Sequence, residues 1–166
     1  LPAAAGRRLP RILAALPSQK SCDGLLHGLT DERFEIRYHC ARALDALLQH
    51  SSLLRVRPEL IYDAVVRAVT VNRSIWDSRR ILDANPDSDD FSYLDDVLRH
   101  HAHQSLELVF SLLSLVLPRK PIRTAFRAIH SGDSSLHELA LEYLDGALPP
   151  HVRTALWPVL GHDPSR

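Results

Sequence analysis

The chain has 166 residues, 45% of them hydrophobic, which suits one domain with a sizeable core and excludes wholesale disorder. Its 20 Lys and Arg balance 20 Asp and Glu, which argues against a dedicated nucleic-acid binder, where a basic excess is the usual signature. There is no methionine and the chain opens Leu1-Pro2-Ala3, so it reads as a processed or excised piece of a longer protein.

Helical period runs through almost every segment. Leu9, Ile12, Leu13 and Leu16 are spaced i, i+3, i+4, i+7, and Pro17 ends that first short helix. A second helix carries Cys22, Leu25, Leu26 and Leu29 on one face, with a turn at Thr30-Asp31. The third is predicted from about Arg33 to Gln49, its stripe made of Ile36, Cys40, Leu44, Leu47 and Leu48. Pro58 suits the first position of a fourth helix, which carries Ile61, Val65, Ala68 and Val69 and extends towards Trp76 and Leu82. Asn85 to Asp90 is a loop in an aspartate-rich stretch, and those carboxylates favour the start of the next helix. That fifth helix, about Phe91 to Leu117, is long, and its second half is apolar nearly all round, as a central helix must be. Pro118 and Pro121 bracket a turn, followed by helices at about Ile122–His130, Ser134–Ala147 and Pro150–Leu160. No segment alternates with period 2 between turn signals, so no sheet is predicted.

Cys22 and Cys40 are too few for a disulfide framework and fall on apolar stripes, so they read as buried thiols in a reducing compartment. No apolar run reaches the roughly 20 residues that span a bilayer.

Residues Leu25–Leu48 and Ala125–Leu148 align without a gap. Leu26 matches Phe126, Leu29 matches Ile129, Cys40 matches Ala140, and Leu44-Asp45 matches Leu144-Asp145. Both stretches are a helix, a polar turn and a second helix, and such hairpins bury their apolar faces only by stacking. In the first copy, Asp31-Glu32-Arg33-Phe34-Glu35-Ile36-Arg37 followed by Cys40-Ala41-Arg42-Ala43-Leu44 resembles the HEAT-repeat consensus. The resemblance implies that Asp31 closes the turn, Ile36 enters the core, and Arg37 bonds across to a neighbouring repeat. The second copy departs from it, with Gly132-Asp133 at the turn and His137 where Arg37 stands. More loosely, Leu106–Leu113, Pro121–Phe126 and Ala140–Asp145 together are similar to the helical-repeat region of some bacterial nucleotide-translocase-like membrane proteins. That likeness implies a cytoplasmic appendage beside a transporter-like domain, with the membrane reached only through a neighbouring domain.

The expected fold is therefore all-α, one HEAT-like domain over 1–166. Antiparallel helix hairpins stack as a short right-handed solenoid with a long central helix. The expected function is non-catalytic: an interaction or regulatory module whose partner is a protein or another domain of the same chain. Candidate binding residues are Arg37, Arg42 and Asp45 on the third helix, and Arg123 and Arg127 in the basic cluster with Arg119 and Lys120, which suits anionic groups. Asp96, His100, His103 and Glu107 share a helical face and form a weak metal-ligand candidate, although helical bundles draw such ligands from several helices. No phosphate loop, dinucleotide fingerprint or hydrolase elbow is present, so no cofactor is expected. The alternative is a HEAT-like DNA-binding or DNA glycosylase-type enzyme using Trp76 with Arg73, Arg79 and Arg80.

Overall fold

The computed structural model describes residues 3–51, 53–71 and 92–160. The described residues form eight helices and no strand, so the chain is all-α there. In order they are α1 (Ala3–Ala14), α2 (Gln19–Gly28), α3 (Phe34–His50), α4 (Pro58–Val71), α5 (Ser92–Leu113), α6 (Arg119–Ile129), α7 (Ser134–Ala147) and α8 (Pro150–Leu160).

Local chemistry explains the boundaries. Ser18 caps α2, its hydroxyl accepting from the Ser21 amide at 3.1 Å. Asp133 caps α7 by accepting from the Ser135 and Leu136 amides at 2.9 and 3.2 Å. Gly132, at φ 71°, turns the chain from α6 into that cap, a conformation that favours a residue without a side chain. Proline opens α4 and α8, where no amide hydrogen is needed. Boundaries differ from the prediction in α1, α5 and α6. α6 begins at Arg119, three residues early, so Pro121 lies in its first turn, where its missing amide hydrogen costs nothing, instead of closing a turn before the helix. α1 begins earlier and runs through Pro10, forgoing one intrahelical bond. α5 ends at Leu113, four residues sooner than its apolar run suggests. The amides of Leu115 and Val116 bond three residues back, tightening the chain into a turn before Pro118, which disfavours helix in the residue preceding it. The extension of α4 towards Leu82 and the loop at 85–90 lie outside the described residues.

The core is continuous. Leu25 and Leu44 at one end, Ile61, Val65, Leu108 and Leu112 in the middle, and Leu144 and Leu156 at the other are fully buried. Each such side chain contributes about 2 kcal/mol relative to exposure. Cys22 and Cys40 are both buried free thiols. α1, α2 and α3 pack on one another, and α3 packs on α5. From there the contacts make a circuit: α4 on α5, α5 on α6, α6 on α7, α7 on α8, and α8 back on α4. A strictly nearest-neighbour stack has no such return contact.

The two aligned hairpins share their deepest positions. Cys40 and Ala140 are 4% exposed each, and Leu44 and Leu144 are sealed. Ile36 is buried, but its counterpart Leu136 is 45% exposed. The difference follows from coverage: among the described helices, α3 is flanked by α1, α2 and α5, whereas α7 packs mainly on α6 and α8.

Among the described residues, no helix is long and apolar enough to cross a membrane.

Candidate functional site

Three helices converge on one cleft of about 530 Å³. α3 contributes Arg42, Asp45 and Ala46, and α5 contributes Glu107, Phe110 and Ser111, with Ser114 just beyond its end. α6 contributes Arg119, Ile122, Arg123, Phe126 and Arg127. In each case the spacing is three and four, so one face of each helix is turned inward. The volume lies in the range of small-molecule and side-chain pockets.

The floor is aromatic. The Phe110 and Phe126 rings lie 5.2 Å apart, tilted by 53°, and Phe126 continues to His130 at 4.5 Å. Phe110 is buried and Phe126 half-buried, so the exposed part of the Phe126 ring is what a ligand meets.

The walls are charged. Arg119 forks onto Asp45 with bonds of 2.6 and 3.1 Å, joining α6 to α3 across 74 positions of sequence. Gln49 donates to the same carboxylate at 2.8 Å. The Tyr38 hydroxyl donates to Glu107 Oε1 at 3.0 Å, joining α3 to α5. Burial, and then this bond, push the Tyr38 hydroxyl pKa up. The Arg42 guanidinium sits 5.9 Å from the centre of the Tyr38 ring, within cation–π reach. Arg123 and Arg127 are exposed and make no ion pair or hydrogen bond among the described residues.

Four of the five residues singled out from sequence, Arg42, Asp45, Arg123 and Arg127, therefore meet in one place. Arg37 does not. Expected on an exposed face, it is only 3% exposed, because it falls on the same stripe as Cys40, Ala41 and Leu44. Its Nη1 donates to the carbonyls of Asp31 and Glu32 at 2.9 and 2.7 Å, and its guanidinium lies 5.9 Å from the Phe34 ring centre. Its Nε has no partner among the described residues. Arg37 staples the turn before its own helix. The Arg33 side chain, bonded to Asp31 in that same turn, holds the Asp31 carboxyl well below the usual carboxylate range.

The Asp96, His100 and His103 set does not assemble as a metal site. Asp96 and His100 are exposed, while His103 packs against Phe126 at 5.8 Å and His130 at 4.8 Å. Among the described residues no group of three or more His, Cys, Asp or Glu side chains is placed to hold a metal ion. Glu107, also on that face, accepts from the Tyr38 hydroxyl. Arg73, Trp76, Arg79 and Arg80 lie outside the described residues.

Phe110, Phe126 and the Tyr38–Glu107 link were not singled out from sequence. Their signal was apolar period alone, which marks core and cleft floor alike. No protein-family model matches the chain, and no curated protein or solved structure matches it.

Proposed function

We propose that the chain is a non-catalytic interaction or regulatory module within a larger protein. It is built on a short right-handed HEAT-like stack, and its docking face is the α3/α5/α6 cleft. The observation that carries this reading is the convergence of Arg42, Arg119, Arg123 and Arg127 from two helices around the half-buried ring of Phe126. Arginine and aromatic side chains together, at the centre of a concave site, are the composition of interface hot spots. The two acids of the cleft are held by Arg119 and Tyr38, which keeps the geometry fixed before a partner arrives. The resemblance of Asp31–Leu44 to HEAT repeats supports the scaffold assignment, because such repeats present extended binding surfaces. The further expectation of a cytoplasmic appendage rests on the looser likeness of the carboxy-terminal helices.

Panning a random peptide library on the folded chain tests the reading. Selected peptides are expected to shift the amide resonances of residues 107–127, and to lose binding when Arg123→Glu and Arg127→Glu are introduced together. Selected peptides that bind the doubly reversed variant as well as the parent refute the cleft as the docking face.

A further inference from the structure

We infer that the α3/α5/α6 cleft takes a phosphate monoester carried on an aromatic ring, as the group by which a protein partner is recognised. This rests on the reading of the cleft as a docking face and names what that face would read.

The charge balance leads to it. Four arginines and two carboxylates line the cleft. Arg119 is spent on Asp45 through two bonds, and Glu107 receives the Tyr38 hydroxyl, over whose ring Arg42 is laid. Two positive charges remain in excess. Arg42 is engaged with the Tyr38 ring, whereas Arg123 and Arg127 are exposed and have no polar partner among the described residues. The pair stands at i, i+4 on α6, a spacing that puts Cβ atoms about 5–6 Å apart on one face and sets like charges against each other. A ligand anion removes that repulsion.

The kind of anion follows from geometry and charge. One carboxylate has a single negative charge and two oxygens, enough for one guanidinium fork. A phosphate monoester carries about −1.5 to −2 at pH 7 and has three acceptor oxygens, so it can bridge both guanidiniums and match the excess of two. Guanidinium is the side chain suited to this bidentate recognition. The floor selects what bears the phosphate. The Phe126 ring, tilted against Phe110 and backed by His130, offers an aromatic contact to a ring ester, and a bare phosphate leaves that surface unused.

The test uses the full chain, isotopically labelled, with four probes: phenyl phosphate, phenylacetate, inorganic phosphate, and a short peptide bearing one phosphotyrosine. Phenyl phosphate is expected to move the amide resonances of residues 107–127 and to bind at least about tenfold more tightly than phenylacetate or inorganic phosphate. The peptide is expected to bind more tightly still. An Arg123→Gln/Arg127→Gln variant, which keeps much of each stem, is expected to lose at least about tenfold in affinity for phenyl phosphate with its circular dichroism unchanged. Equal binding of phenylacetate overturns the choice of phosphate, and equal binding of inorganic phosphate overturns the ring. A phosphopeptide weaker than phenyl phosphate overturns the assignment to a protein partner. If library-selected peptides occupy the cleft and phenyl phosphate does not, this inference alone fails. If neither occupies it, the docking reading fails as well.

Discussion

Gly28 ends α2 with its α-carbon pressed against Cys40 of α3, and replacing it by alanine measures how tightly the first hairpin is closed. A β-carbon built there runs into Cys40 Sγ and stands 3.4 Å from Cys40 Cβ. Two effects oppose each other. Alanine in place of glycine favours a helix by up to about 1 kcal/mol. Overpacking a tight interior costs about 1–3 kcal/mol. Cys40 is 4% exposed and has a single side-chain torsion, so its sulfur cannot swing into solvent. The clash therefore dominates, and Gly28→Ala is expected to destabilise the chain by about 1–2 kcal/mol. Removing the sulfur tests the cause: in the Gly28→Ala/Cys40→Ala variant the new methyl group enters the space the thiol vacates. Urea unfolding followed by circular dichroism on the parent, both single variants and the double variant completes the cycle. A favourable coupling of about 1–3 kcal/mol is expected. A Gly28→Ala chain as stable as the parent, or energies that add within about 0.5 kcal/mol, refutes the argument.

Two further predictions concern buried polar and titratable groups. The His137 Nε2 lies 2.9 Å from the Leu160 carbonyl at the end of α8, and His137→Ala is expected to cost about 1–2 kcal/mol and to speed amide exchange in the last turn of α8. An unchanged exchange pattern there contradicts the capping role. Burial pushes the Cys40 thiol from 9.0 up to about 11. A thiol pKa that is higher folded than unfolded means the unfolded chain releases its proton first, so stability is intact below about pH 9 and falls as pH rises towards 11. The loss reaches about 2 kcal/mol by pH 11, measured as the difference in urea midpoint between parent and Cys40→Ala from pH 8 to 11. Parallel profiles for the two chains refute it, the common slope then belonging to Cys22, Tyr38 and Tyr62, whose pKa values burial also raises.

The helices were legible where a glycine, a capping acid or a proline at the first helical position punctuates the pattern, but not at Pro121, which sits inside the first turn of α6 where a turn was expected. α7 and α8 match the sequence reading to the residue, because Gly132-Asp133 and Pro149-Pro150 mark their starts. α5 was drawn too long because Leu115-Val116-Leu117 are as apolar as the helix before them, and half-buried turn residues carry no period to mark them as turn. The aligned repeat identified the buried positions Cys40, Ala140, Leu44 and Leu144, but not Leu136, since exposure there depends on how many helices flank α7. Residue type named four members of the cleft. Their meeting was not legible: Asp45 finds Arg119 and Tyr38 finds Glu107 across 74 and 69 positions, and no local pattern encodes those pairings. Arg37 shows the opposite error. Its charge suggested surface, while its place on the stripe with Cys40 and Leu44 already assigned it to the interior.

The return of α8 to α4 changes how the chain holds together. In an open row of hairpins, the terminal one is secured by a single neighbour and peels away first. Here α8, the last described helix, is clasped by both α4 and α7, so releasing it uncovers two partners at once. The chain between α4 and α8 is long, but closing a longer loop costs only logarithmically more entropy, a modest charge against a sealed interface of Val152, Leu156 and Leu160. The ring consequently opens as a unit, and the hairpin α6–α7, which supplies the free arginines, is held from both sides. At the other end, α1 packs on α2 and α3, while Leu9, Ile12 and Leu16 of that helix and its turn remain largely exposed.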